Sequence, residues 1–218
     1  MQFRKHSHLN GEAVILANQI VAELWHEIES AIHSISDEEL VEHFQNDSRH
    51  AKSISDAINT RLDIKLVELG WTRQSRIFRD QDTYTGTTWT LDFSKGSITN
   101  NNRKIGIAIE VVFNHGEAIA WNLIKLSLAS ENNFVRKETD IGDGVGVYVC
   151  ATNELKIAGG FDSAVGEYEK VLKYLDPLNA KLIRPMIIVG LEAPKTFKIE
   201  HYKDPTNSKK VLGRVVRI

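Results

Sequence analysis

Apolar residues follow two rhythms along this chain, one of four residues and one of two. Between residues 12 and 34, Leu16, Ile20, Leu24, Ile28 and Ile32 recur at every fourth position, and Val21 and Trp25 widen the stripe. That spacing predicts one long amphipathic helix, with Asn10 placed to cap it. The polar stretch from 36 to 52 predicts a short helix at 38–44 and then a loop. A second long helix is predicted at 53–69, with Ile54, Ile58, Leu62, Leu66 and Leu69 inward and Gly70 as its stop. Strand-like runs are read at 71–78, 87–93 and 105–113, with a turn at 80–86 and a long polar hairpin loop at 96–103. A helix at 117–129, with Ile119, Leu123 and Leu126 inward, precedes a strand at 145–151, a helix at 163–175 and a strand at 183–191. The order predicts an α/β fold, a central mixed β-sheet flanked by helices in one domain. Residues 195–218 are read as a C-terminal hairpin or a partly ordered tail.

Two of these strands each carry one acid within an apolar run. The first reads Leu91-Asp92-Phe93, and the second Ile107-Ala-Ile-Glu110-Val-Val-Phe113. Period-two alternation puts Ile105, Ile107, Ile109 and Val111 on one face of the second strand, and Gly106, Ala108, Glu110 and Val112 on the other. A carboxylate buried in such a strand costs several kcal/mol unless its charge is compensated. A divalent cation held between Asp92 and Glu110 would compensate both, and is also a catalyst of phosphodiester hydrolysis. Two acids on two strands of an α/β protein also arise as ordinary rim residues, so the pattern alone leaves both readings open. His115 follows closely on Glu110 but belongs to no zinc-like cluster of histidine and cysteine. The stretch 140–144 is a turn rather than a calcium loop.

Composition removes several classes. The 218 residues are 42% hydrophobic and 26% charged, ordinary for a globular domain. No apolar run approaches the roughly 18 residues of a membrane helix, and no signal-peptide core opens the chain. Cys150, the one cysteine, lies in a strand-like run; a cytoplasmic setting and a core position are expected for it. A net charge of −2 rules out a uniformly basic surface but permits a basic cleft.

At the acid strands the sequence resembles the BglII/BstYI family of type II restriction endonucleases, within the PD-(D/E)xK nuclease superfamily. The resemblance extends to the opening His6-Ser-His-Leu-Asn-Gly11, to Leu24-Trp-His-Glu-Ile-Glu29, to Gly70-Trp71, to 140–155 and to Pro185-Met-Ile-Ile-Val-Gly-Leu191. It covers residues 6–194, and the order of these pieces carries it. It implies a homodimer that cuts double-stranded DNA at a short palindrome, often one containing GATC, with one or two magnesium ions. Asp92 and Glu110 match the catalytic, metal-binding acids. Position 112 matches a polar family residue that orients the attacking water, and Val112 departs from it. The interval between the acids is also longer than the family's, with the Asn-rich loop as an insertion. Asn114 and His115, and Asp162 with Ser163, match positions that read bases; as isolated residues they are equally good turn formers or helix caps. Arg73, Arg76, Arg79, Lys95, Arg103 and Lys104 are candidate phosphate contacts, and Glu23 or Glu27 a candidate support for a second metal. The competing expectations are a DNA-binding protein on a nuclease fold that cuts weakly because of Val112, and an α/β protein unrelated to nucleic acid.

Overall fold

The computed structural model describes residues 1–47, 51–80, 82–98, 104–131, 141–207 and 209–218. Its centre is a mixed sheet, as the pattern predicts, of six strands, one more than the sequence marks. The strands are β1 (Phe3–His8), β2 (Thr72–Arg76), β3 (Thr90–Ile98), β4 (Lys104–Val112), β5 (Val145–Ala151) and β6 (Met186–Leu191), in the spatial order β1-β6-β5-β4-β3-β2. The middle three, β4, β5 and β6, run parallel. The flanking β1, β3 and β2 are joined antiparallel. Burial on both faces explains why β5 and β6 read as unbroken apolar runs, Val-Gly-Val-Tyr-Val-Cys-Ala and Met-Ile-Ile-Val-Gly-Leu.

Helices close both faces. Over one lie α2 (Gln19–His33), α3 (Asp37–Asn46) and α4 (Ser55–Glu68), whose Leu24, Ile28, Leu40, Ile58 and Leu62 meet Ile107, Ile109 and Val147. Over the other lie α5 (Ile119–Ala129) and α7 (Tyr168–Leu178), with Leu123, Leu126, Val171 and Leu175 against Ala108, Val112, Tyr148 and Ile188. The short α6 (Asn153–Ala158) follows β5. Strands β7 (Phe197–Lys203) and β8 (Val211–Arg217) pair antiparallel as a separate two-stranded ribbon, and Phe197 and Ile199 join the core on the α2 side.

Several elements depart from the sequence expectation. The predicted first helix is two. A short α1 (Gly11–Ala17) ends at Asn18, whose extended backbone breaks the helix and whose side chain accepts the Val21 N–H to start α2. Leu16, predicted inward, is 78% exposed. Asn10 precedes α1 in a left-handed conformation without a side-chain cap; the Ser7 hydroxyl accepts the Glu12 N–H instead. The helix at 163–175 starts only at Tyr168, and residues before it form a turn. Strand β3 runs on to Ile98, through the first part of the predicted loop, whose residues 99–103 lie outside the described residues along with Asp140. Gly70, at φ +83°, does end α4 as predicted, since a side chain there would meet the left-handed steric penalty.

Candidate active site

Register brings the two acids side by side. The β3–β4 ladder runs from Ile98↔Lys104 to Phe93↔Ile109, and one step further would pair Asp92 with Glu110. The ladder stops there. Leu91 packs in the α5 core layer and Phe93 in the α2–α4 layer although they are two apart, so the regular alternation of β3 breaks at Asp92. Freed from the ladder, Asp92 Oδ2 accepts the backbone N–H of Val111 at 2.8 Å. Glu110 obeys the predicted alternation and points with Ala108 and Val112 into the α5 layer, 3% exposed.

Burial and the neighbouring charge act on both carboxyls. Burial first, and the Asp92 charge second, push the Glu110 carboxyl up to about 8. Burial likewise raises Asp92, against the opposing pull of the Val111 N–H and Lys125. A buried carboxyl disfavoured further by a neighbouring acid's charge is a site that attracts a cation. Glu110 Oε1 is buried and has no hydrogen-bond partner among the described residues. A hard divalent ion fits this donor set: it would take up Oε1 and Asp92 and draw its remaining oxygens from water and substrate phosphate, as magnesium does. Among the described residues no group of three His, Cys, Asp or Glu side chains comes together.

Sequence reasoning missed Lys125. It is the one charged residue in the apolar α5, and it lies on the helix's buried side with Asn122, Leu123 and Leu126. Its ammonium donates to Glu110 Oε2 at 2.7 Å and to the Thr90 carbonyl at 3.1 Å. A lone lysine inside an otherwise apolar helix was the available signal; a buried lysine needs a partner. Val112 sits two residues beyond Glu110 in the same layer, 3% exposed.

On the other side of β3, Asp92 opens onto a cleft of about 340 Å³. Asn59, Thr60 and Asp63 of α4 and Arg73 and Gln74 of β2 line it, Arg73 clamping Asp63. Glu27 is not available to a metal: its carboxylate accepts from Trp71 Nε1 and from Lys95 Nζ, each at 2.8 Å. Glu23 is exposed and accepts from Gln19 at 2.9 Å. Lys95 and Arg73 are thus engaged within the protein. Arg76 and Arg79 are exposed, and Arg103 lies outside the described residues.

The four candidate base readers converge. Asn114 and His115 follow the end of β4, and Asp162 and Ser163 follow α6. The Asn114 carbonyl accepts the Gly166 N–H at 3.0 Å, the Gly116 N–H reaches the Ala164 carbonyl at 2.8 Å, and His115 bridges to Val165. All four side chains are exposed. Asn114, His115 and Asp162 line a groove of about 570 Å³ with Lys52, Ser53 and Ser55. The Ala164 N–H and the Lys52 ammonium hold the Asp162 carboxyl below the usual range. This groove and the acid pair share one end of the sheet, because Asn114 is only four residues past Glu110 on the same strand exit.

Comparison with known proteins bears on the fold and the family. Curated protein sequences give no match. A crystal structure of restriction endonuclease BglII complexed with a DNA 16-mer matches with a TM-score of 0.62 at 17% identity, over 100% of both chains. Free BglII matches at 14% identity and a TM-score of 0.48, again over 100% of both chains. The first likeness establishes a shared fold. The family profile described as restriction endonuclease BglII/BglIII matches residues 3–191, which takes in every strand of the central sheet, both acids and the convergent loops. With that match across most of its length, the chain belongs to the BglII/BglIII restriction endonuclease family.

Proposed function

We propose that this protein is a magnesium-dependent type II restriction endonuclease that hydrolyses both strands of DNA at a short palindromic site of the GATC-containing kind. The observation that carries the reading is the buried, unpartnered Glu110 Oε1 beside Asp92, where the β3–β4 ladder ends. Asp92 and Glu110 would hold the magnesium, which when bound supplies Lewis-acid activation of water and neutralises phosphate charge. Asp92 is fixed for this by the Val111 N–H, and Glu110 by Lys125. Asn114, His115 and Asp162 would face base edges from the neighbouring groove, with Ser163 exposed beside them, while Lys52 contributes phosphate attraction.

A palindrome presents two equivalent half-sites, so the working form is a homodimer. Leu16 on α1 leaves apolar surface at the first two helices, where the interface is sought. A cytoplasmic location accompanies this function; among the described residues no helix is long and apolar enough to cross a membrane. The apolar Val112 favours the second reading, a DNA-binding protein that cuts poorly. Incubation of the purified chain with phage DNA separates the two. Discrete fragments with magnesium, none in EDTA, and none with Glu110→Ala are expected. Binding without fragments selects the second reading, and cleavage by Glu110→Ala rejects this centre.

A further inference from the structure

We propose that Lys125, reaching into the centre from helix α5, supplies the polar group that strand position 112 lacks, and that it positions the attacking water or a non-bridging phosphate oxygen. The inference rests on the nuclease reading above. It starts from a vacancy in chemistry: hydrolysis needs a group that orients the nucleophile, and Val112 offers only methyl groups to the space beside Glu110.

Lys125 reaches Glu110 from α5 by geometry. An ammonium carries three N–H donors. Two are accounted for, one on Glu110 Oε2 at 2.7 Å and one on the Thr90 carbonyl at 3.1 Å. Both acceptors flank the acid pair: Thr90 precedes Asp92 by two residues, and Glu110 is the other acid. The tip of Lys125 is therefore fixed at two points beside the reacting centre, with its third donor unassigned among the described residues. A donor held in this way aligns a water or phosphate oxygen without the entropy cost of ordering a free side chain. In the reaction it assists, the water oxygen bonds to phosphorus while one bridging P–O bond breaks with its electrons. One hydrogen of the water stays on the phosphate or enters solvent, and the other ends on the leaving sugar oxygen.

A merely structural role is the rival account, in which Lys125 only satisfies and holds the buried Glu110 carboxyl in the metal-free protein. The two accounts part at saturating magnesium, because a bound cation engages the Glu110 carboxyl itself but leaves the third donor's task undone. The test uses full-length Lys125→Met with enzyme in excess over phage DNA. The cleavage rate at saturating magnesium is expected to fall roughly 100-fold or more. DNA affinity in EDTA should stay within about threefold, since one buried ammonium at the scissile phosphate adds little beside the many backbone contacts of a whole site. Magnesium affinity, read by calorimetry without DNA, should hold or rise, because a competing cation has left Glu110. The double variant Val112→Lys with Lys125→Met should recover most of the rate, since position 112 shares the face of Glu110. Should Lys125→Met not fold, Lys125→Gln keeps a donor without the charge and is expected to lose less. A Lys125→Met that cuts at the wild-type rate in saturating magnesium overturns the role alone. A wild-type chain that never cuts with magnesium overturns the nuclease reading and this role together.

Discussion

Glu110→Gln isolates the charge of the buried carboxyl, because the glutamine carbonyl still accepts from Lys125. In the metal-free protein Glu110 stays protonated up to about pH 8, whereas the unfolded chain ionises it near its ordinary 4.5. Between those values unfolding releases a proton, so stability falls as pH rises. At about 1.4 kcal/mol for each tenfold change in proton affinity, the loss reaches roughly 3 kcal/mol by pH 7 and levels off above pH 8. The glutamine variant lacks this loss. Asp92 shifts in the same direction but is present in both proteins. Urea unfolding in EDTA at pH 5, 6, 7 and 8 should therefore show near-equal stabilities at pH 5, with the variant pulling ahead as pH rises. At pH 7 the gap corresponds to about 6–12 °C in Tm for a chain of this size. Magnesium should narrow the gap by stabilising only the wild type. A difference that stays constant from pH 5 to pH 8 would show Glu110 to be ionised with Lys125 throughout, and the argument from burial would fail.

Three further outcomes are expected. Magnesium binding at pH 7 should release close to one proton, about 0.9, from Glu110; calorimetric heats independent of the buffer's ionisation enthalpy would contradict this. Val112→Gln should leave cleavage unimproved and cost roughly 1–3 kcal/mol in urea unfolding, because the amide would be buried among Ala108, Tyr148 and other apolar neighbours; faster cleavage would mean position 112 still does the family's task. Lys52→Ala should weaken DNA binding about equally at all sequences and lower the salt slope by about one, whereas His115→Ala should change which sites are cut; anisotropy titrations and digestion patterns distinguish the two.

The acid pair was legible because β4 is a regular strand. Strict alternation alone assigned Glu110 and Val112 to one face, and the structure keeps them there. The parallel strands β5 and β6 were legible for a related reason, since burial on both faces leaves an apolar run bounded by polar turns. Strand β1 was not, because Phe-Arg-Lys-His-Ser-His carries little apolar signal at a sheet edge, and only pairing with β6 makes it a strand. The break at Asn18 was also hidden. The four-residue rhythm passes straight through it, and a residue that caps one helix looks in sequence like a tolerated polar position in a longer one.

The sequence by itself determined which strands hold acids, which face Glu110 takes, and that position 112 is apolar. Those are properties of one segment at a time, read from local periodicity. Tertiary structure alone decided the rest. The ladder's end frees Asp92 to take the N–H of Val111, the residue next to Glu110. Helix α5 delivers Lys125 to Glu110 from fifteen residues away. Glu27 is taken up by Trp71 and Lys95 and so withdrawn from the centre. The loops after β4 and α6 meet through hydrogen bonds between backbones, whose groups are the same at every residue and leave no trace in side-chain pattern. A buried lysine–carboxyl contact is likewise invisible until burial is known, because the same lysine on an exposed helix face would be an ordinary solvated charge.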